Sequence, residues 1–445
     1  MASTYLYRTN GTPTLGTKYT FSFWMKRSAI DADHRLVNNY VDSNNLGQIY
    51  IDATNNKLNI IDKTGGSTHL DVTVSHKFRD PTAFHHIVIA ADTTQGTAAD
   101  RLKVYINGTE QTDFALGATY PNQDAVLKMN AASASDQFRI GSHNGGGDYF
   151  DGNLTHFHFI DGTAYAASTF GSTDSTSGIW KPNTVPSVTY GNNGFFLKFE
   201  NSGAMGTDSS GNTNTFTVSG TMTQNVDTPT NVFATLNKLS THGNNTLSNG
   251  NLKIAFTANT SYTNSIGNLG INSGRWYVEA KIAGATTYYP CIGFCSMQNS
   301  TRKYYDPLYT AAHLGADEGT GYFAHGNIQK NGSTDGDYAT FTTGDIISMY
   351  LDLESGTKTL KYYKNDALIR STTITPVDGQ FYTFGATGTS SSDIVDFNFG
   401  SGFFGTTQVT TANADANGYG AFEYSPTIGG VDYYALCTKN IKEFG

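Results

Sequence analysis

Apolar side chains recur at every second position through short runs along the 445-residue chain, and each run stops at a cluster of Gly, Asn, Asp, Ser or Thr. A period of two puts alternate side chains on opposite faces of an extended strand, so each run has one face to bury. In Phe21-Ser22-Phe23-Trp24-Met25-Lys26, the residues Phe21, Phe23 and Met25 share a face. Leu102, Val104 and Ile106 alternate with Arg101, Lys103 and Tyr105, and that run ends at Asn107-Gly108, a dipeptide suited to the positive φ values of a tight hairpin. Trp276, Val278, Ala280 and Ile282 repeat the pattern, as do Ile347, Met349, Leu351 and Leu353. The chain is therefore expected to be all-β and antiparallel, with strands stacked as pairs of sheets.

Its length exceeds one ordinary sandwich, and two are expected in tandem, at residues 1–200 and 231–445. Residues 201–230 read as a connector, because Asn201 to Asn212 and Asp227-Thr228-Pro229-Thr230 are too small and polar to form a core. Phe216 and Val218 are placed to add a strand to a neighbouring sheet, and Tyr433 to Cys437 reads as a final strand. Gly (48), Tyr (27) and Phe (27) are abundant while charged residues are only 15%, which suits short strands joined by many turns.

A net charge of −9 and the lack of any Lys/Arg cluster exclude a nucleic-acid surface, which needs clustered cations to displace counterions. The same sign favours a neutral glycan or a protein over an anionic polymer. No apolar run approaches the ~20 residues that span a bilayer, so no membrane insertion is expected. The start has no basic segment followed by an apolar one, so no secretory leader is expected, and the protein would leave a cytoplasm by lysis or within a particle. No heptad repeat is present, so any oligomer must form through globular surfaces.

Several segments look familiar. Phe21 to Ser28 (FSFWMKRS), Arg101 to Gly108 (RLKVYING) and Phe138 to Gly141 (FRIG) resemble laminin-G-like or concanavalin A-like lectin domains. Phe150 to Gly171 (FDGNLTHFHFIDGTAYAASTFG) resembles the closing strands of that domain in phage and marine-virus structural proteins. Leu247 to Ile254 (LSNGNLKI), Ser273 to Ile282 (SGRWYVEAKI), Ile292-Gly293-Phe294 and Thr342 to Asn365 (TTGDIISMYLDLESGTKTLKYYKN) resemble, in order, the core strands of a SPRY (B30.2-like) domain. Gly194 to Phe216, Asp227 to Leu239 (DTPTNVFATLNKL) and Tyr433 to Ile441 (YYALCTKNI) resemble the joining and closing segments of tail-fibre-like virion proteins. Many such relatives open with a baseplate-binding module or repeat the lectin unit, whereas this sequence begins at once with the first sandwich. The resemblance implies two concanavalin A-like, jelly-roll sandwiches in a virion protein made in a host cytoplasm. It also implies other virion proteins as partners and a homo-oligomer, with a trimer favoured.

Several motifs admit both a chemical reading and a plainer one. Retaining glycosidases of this fold need two carboxyl groups ~5 Å apart, supplied by a Glu-x-Asp-x-x-Glu run that this sequence lacks. Asp352 and Glu354 are read instead as a solvated hairpin end. His156-x-His158 and His85-His86 have metal-compatible spacing but no third convergent ligand in sequence, and are taken as sheet residues. Cys291, Cys295 and Cys437 make neither a disulfide framework nor a zinc set, and are taken as small buried hydrophobes. Asn413 to Gly418 opens like a calcium loop, but Tyr424 stands where a bidentate Glu should close it, so an Asx-rich turn is preferred. Asp148 and Asp151 follow a glycine run of the kind at which laminin-G-like domains sometimes hold calcium. No catalytic residue, metal site or cofactor is assigned.

Binding is expected through loop aromatics, because a sugar's C–H face stacks on Tyr while carboxylates and amides accept its hydroxyls. The residues chosen are Tyr149 and Asp151 in the first domain, and Tyr288, Tyr289, Tyr304, Tyr305, Asp306 and Tyr309 in segments the SPRY resemblance places near its variable loops. The expected function is a non-enzymatic virion surface protein, a tail-fibre or receptor-binding component that recognises a host glycan or surface protein. The alternative is a decoration or connector protein of capsid or tail.

Overall fold

The computed structural model describes residues 4–115, 117–132, 138–144, 146–243, 245–257, 262–297 and 319–445. The chain divides into two compact units, one of residues 1–224 and 228–230 and the other of 225–227 and 231–445.

In the first unit the strands are β1 (Tyr5–Arg8), β2 (Lys18–Arg27), β3 (His34–Asp42), β4 (Asn45–Ile51), β5 (Lys57–Thr64), β6 (Ser67–Lys77), β7 (His85–Asp92), β8 (Leu102–Ile106), β9 (Thr109–Gln111), β10 (Phe138–Ile140), β11 (Gly152–Asp161), the small hairpin β12 (Gly171–Thr173) and β13 (Trp180–Pro182), β14 (Phe195–Leu197) and β15 (Thr217–Ser219). They form a seven-stranded sheet in the order β15-β1-β10-β3-β4-β5-β6 and a six-stranded sheet in the order β14-β11-β2-β7-β8-β9. Phe21, Phe23 and Met25 meet Leu102, Val104 and Ile106 in one core with Val37, Ile49, Ile60 and Val72, as the alternation predicts. The turn at Asn107-Gly108 has φ of 47° and 80°, which is the left-handed geometry that dipeptide favours.

Two features depart from one buried face per strand. Trp24 and Val88, on the outward side of the six-stranded sheet, are also buried, because residues 163–194 fold back over them. The segment read as a connector is also partly built into this unit: Phe216 lies in its core, and β15 pairs with β1 through Tyr5↔Ser219, Leu6↔Val218 and Tyr7↔Thr217.

In the second unit the strands are β16 (Leu236–Thr241), β17 (Thr246–Ser248), β18 (Lys253–Ala255), β19 (Thr263–Gly267), β20 (Arg275–Gly284), β21 (Cys291–Ser296), β22 (Gly319–Phe323), β23 (Asn327–Lys330), β24 (Ser333–Asp337), β25 (Ile346–Asp352), β26 (Thr359–Lys364), β27 (Ala367–Thr373), β28 (Tyr382–Gly388) and β29 (Ile394–Asn398). A seven-stranded sheet, β16-β19-β28-β21-β22-β23-β24, packs on an eight-stranded one, β17-β18-β29-β20-β25-β26-β27. Trp276, Val278, Ala280 and Ile282 on β20 meet Ile347, Met349 and Leu351 on β25 within this core. The outward side of β20 is buried as well: Tyr277 joins Tyr350, Phe422 and Tyr433 in a second cluster under the C-terminal segment.

Tyr434–Ala435 pairs in parallel with β20, and the chain then ends in α1 (Thr438–Phe444), a helix that alternation did not announce. The rings of Tyr434 and Phe444 stack at 4.0 Å and fix that helix against the unit. Both units are antiparallel β-sandwiches, and among the described residues the β20 contact with Tyr434–Ala435 is parallel.

Candidate functional site

β1 sends Leu6 into the core and therefore turns Tyr5 and Tyr7 outward, with ring centroids 5.9 Å apart. Tyr149 lies in the loop between β10 and β11 and stacks on Tyr5 at 6.3 Å, with the planes inclined by 30°. That loop turns back through left-handed residues Gly146 (φ 89°), Gly147 (φ 115°) and Asp148 (φ 47°), and the glycines allow this without a Cβ penalty.

Arg139, the register partner of Tyr7, places its guanidinium 4.7 Å from the Tyr5 ring centroid, and its Nη1 donates to the His143 carbonyl at 3.0 Å. Arg35 pairs with the Asp148 carboxylate at 3.2 Å and lies 3.9 Å from the Tyr50 ring centroid. The His143 ring sits 5.1 Å from that of Tyr40. Asp151 is half-buried; its carbonyl accepts from the Ser28 amide at 2.9 Å, and burial pushes its carboxyl pKa upward. Tyr149 thus belongs to an aromatic and guanidinium cluster whose other members, Tyr5, Tyr7, Arg35, Arg139 and His143, the loop-centred reading missed. The alternation of Tyr5 and Tyr7 about Leu6 was the available signal.

In the second unit Tyr288 is 62% exposed, its ring edge-on to His325 at 5.3 Å. Tyr289 faces inward. Its ring meets Phe323 and Tyr262 at 5.7 Å each, beside Cys291, Cys295 and Ile266, and burial raises its hydroxyl pKa. Of the two, Tyr288 is exposed and Tyr289 half-buried. Tyr304, Tyr305, Asp306 and Tyr309 lie outside the described residues.

The remaining polar motifs are engaged internally. The Trp180 indole N–H donates to His86 Nδ1 at 2.9 Å, which leaves His86 Nε2 to donate to Ser22 Oγ at 2.9 Å. Burial lowers the His86 pKa to about 3. His158 stacks on Phe196 at 3.9 Å and shares a hydrogen bond with the Tyr190 hydroxyl at 2.9 Å, and burial holds it well below the usual histidine range. A bulge between Thr155 and His158 puts His156 at φ 46°, so the two imidazoles do not stand as regular i, i+2 neighbours on one face of the strand. Among the described residues, no group of three or more His, Cys, Asp or Glu is placed to hold a metal ion.

Asp352 accepts from the Glu354 and Ser355 amides and the Ser355 hydroxyl, and Arg275 bridges it to Glu354, which is a hairpin end. Asp415 makes an Asx turn with the Asn417 and Tyr419 amides, and its second oxygen accepts from Ala435 N and Asn440 Nδ2. Cys291, Cys295 and Cys437 are all buried.

Among solved structures, the chain is similar to the SPRY domain of human HERC1, with 19% identity over 36% of this chain and 96% of that one and a TM-score of 0.30. A human SPRY domain gives 15% identity over 35% and 94%, with a TM-score of 0.26. The TRIM65 PSpry domain gives 13% over 37% and 88%, with a TM-score of 0.30. Comparison with curated proteins finds no match. Residues 2–168, which hold Tyr5, Tyr149 and all their partners named above, match a laminin-G family model described as the concanavalin A-like lectin/glucanases superfamily.

Proposed function

We propose that this is a non-catalytic recognition protein carried on a phage or phage-like virion, a tail-fibre or receptor-binding component that contacts a host surface glycan or protein. The observation that carries the recognition part is the Tyr5, Tyr7 and Tyr149 cluster. Its rings stand outside the core, ordered by Arg139 and by one another, where side chains serving only the fold have no reason to gather. The virion part is supported by the resemblance of Phe150 to Gly171 and of the joining segments to virion proteins. The absence of catalysis is supported by the engagement of Asp352, Glu354 and Asp415 in turns and ion pairs.

The test is adsorption. Purified protein at micromolar concentration is expected to bind host cells and to reduce plaque formation by the particle that carries it. Stable association with particles but no adsorption would favour the decoration or connector reading. Incubation with host polysaccharide is expected to release no reducing ends.

A further inference from the structure

We propose that the outward face of the first unit's seven-stranded sheet, along Tyr149, Tyr5 and Tyr7, is a stacking platform for the pyranose rings of an uncharged glycan. This rests on the recognition reading above and names its ligand class. Tyr5 is the centre: Tyr149 and Tyr7 lie 6.3 and 5.9 Å away, Arg139 lies 4.7 Å from its centroid, and the ring stays partly exposed. Cation–π attraction and ring contacts hold Tyr5 from three sides, so little rotamer freedom remains to be lost when a ligand stacks on it.

The charges of the face are already committed. Arg35 is paired with Asp148, and Arg139 donates to the His143 carbonyl. Arg35 Nε and Nη1 and Arg139 Nε are buried, out of reach of a carboxylate or sulfate, and the net charge of −9 disfavours a polyanion further. What surrounds the rings is hydroxyl and amide rather than aliphatic. Ser219 and Thr217 sit opposite Tyr5 and Tyr7 on β15, and Arg139 pairs across to Asn38, which in turn faces Gln48. Side chains opposite one another in register share a face, so Ser219 and Thr217 border the rings directly, while Asn38 and Gln48 lie beyond Arg139 and are buried. Asn38 is fully buried with its Nδ2 unpartnered, and Gln48 donates to its Oδ1 at 2.9 Å. Flat aromatic rings bordered by short hydroxyls match a sugar, with its apolar C–H face and hydroxyl rim, better than an apolar protein surface.

The full chain would be titrated with hexasaccharides of glucose, mannose, galactose and xylose, with oligogalacturonate as the acidic probe. At least one uncharged hexasaccharide is expected to bind. Tyr5→Ala and Tyr149→Ala should each weaken that binding at least tenfold, which is about 1.4 kcal/mol. Tyr149→Phe should keep it within about threefold, or about 0.7 kcal/mol, and Leu368→Ala, at an exposed position of β27 in the other unit, should leave it unchanged. Thermal melts of the variants exclude unfolding as the cause. Uncharged binding that survives both alanine changes, or that is lost in Leu368→Ala, overturns the platform but leaves glycan recognition standing. Binding of oligogalacturonate alone overturns the uncharged assignment. Adsorption to host cells without any hexasaccharide binding points to a protein receptor and overturns the platform, whereas loss of both overturns the recognition reading itself.

Discussion

Glu279 sits on the outward side of β20 with both carboxylate oxygens inside a ring of donors. Tyr277 Oη and the Tyr424 amide donate to Oε1 at 2.8 Å each, and Asn398 Nδ2 and the Glu423 amide donate to Oε2 at 3.1 and 3.0 Å. Alternation assigns this residue to water; it is buried because the C-terminal segment lies over it and delivers two of those donors. Burial pushes its pKa from 4.5 up to about 7, against the pull of the hydrogen bonds. A proton there is tolerable, because the Tyr277 hydroxyl can turn its one proton to Ser348 Oγ, 3.0 Å away, and accept from the protonated Glu279 instead. With the folded pKa above the unfolded one, the folded state binds the proton more tightly. The contribution is therefore complete below pH 4.5, is lost as pH rises towards about 7, and amounts to at most about 3 kcal/mol. Denaturant unfolding followed by fluorescence should show the second unit losing stability across that window. Glu279→Gln should flatten the slope and, by setting an amide N–H₂ against one donor pair, cost about 1–3 kcal/mol near pH 5. An unchanged slope in the variant would assign the pH dependence to another group.

The hairpins show how far short-range sequence reaches. At Asn107-Gly108 the dipeptide predicted both positive φ values, and Asn107 Oδ1 also accepts the His86 amide at 2.8 Å. A tertiary demand is layered on the local one, for a Cβ at Gly108 would lie 2.6 Å from the Trp180 ring. Gly108→Ala should therefore lower the melting free energy of the first unit by about 1–3 kcal/mol, through backbone strain and displacement of Trp180 together. The turn joining β26 and β27 has the same geometry without the glycine, with Asn365 at φ 48° and Asp366 at φ 68°. Asp366→Gly should raise second-unit stability by about 0.5 kcal/mol, since nothing in the turn opposes it. Strands and turns were thus legible, because a period of two and a positive-φ dipeptide are local signals. The outer layers over Trp24 and Tyr277 were not, since burial of a strand's second face depends on where a distant irregular segment comes to rest. The same limit governs the candidate site. Tyr149 was found from its glycine loop, but Tyr5 and Arg139, which hold it, come from strands far apart in sequence and meet only across the sheet.

At the scale of the molecule, the two hydrophobic cores share no residue, so each unit should respond alone to damage inside it. The informative position is Phe216, because the surrounding polar sequence reads as linker while the side chain is 4% exposed within the first core. Its ring meets Phe195 at 4.7 Å and Phe138 at 6.2 Å, and the Arg8 guanidinium lies 5.7 Å from its centroid. Phe216→Ala should lower the first unit's stability by about 3–5 kcal/mol, the usual loss for a large aromatic removed from a core. Trp276→Ala should do the same to the second unit, whose core holds that residue at 0% exposure. In scanning calorimetry of the full chain, each substitution should move one transition and leave the other in place. A fragment of residues 1–230 should melt cooperatively, whereas one of residues 1–200, lacking Phe216 and the strand that pairs with β1, should not reach the same stability. Equal melting of the two fragments would return residues 201–230 to the role of a passive linker. It would also remove Ser219 and Thr217 from any fixed place beside Tyr5 and Tyr7.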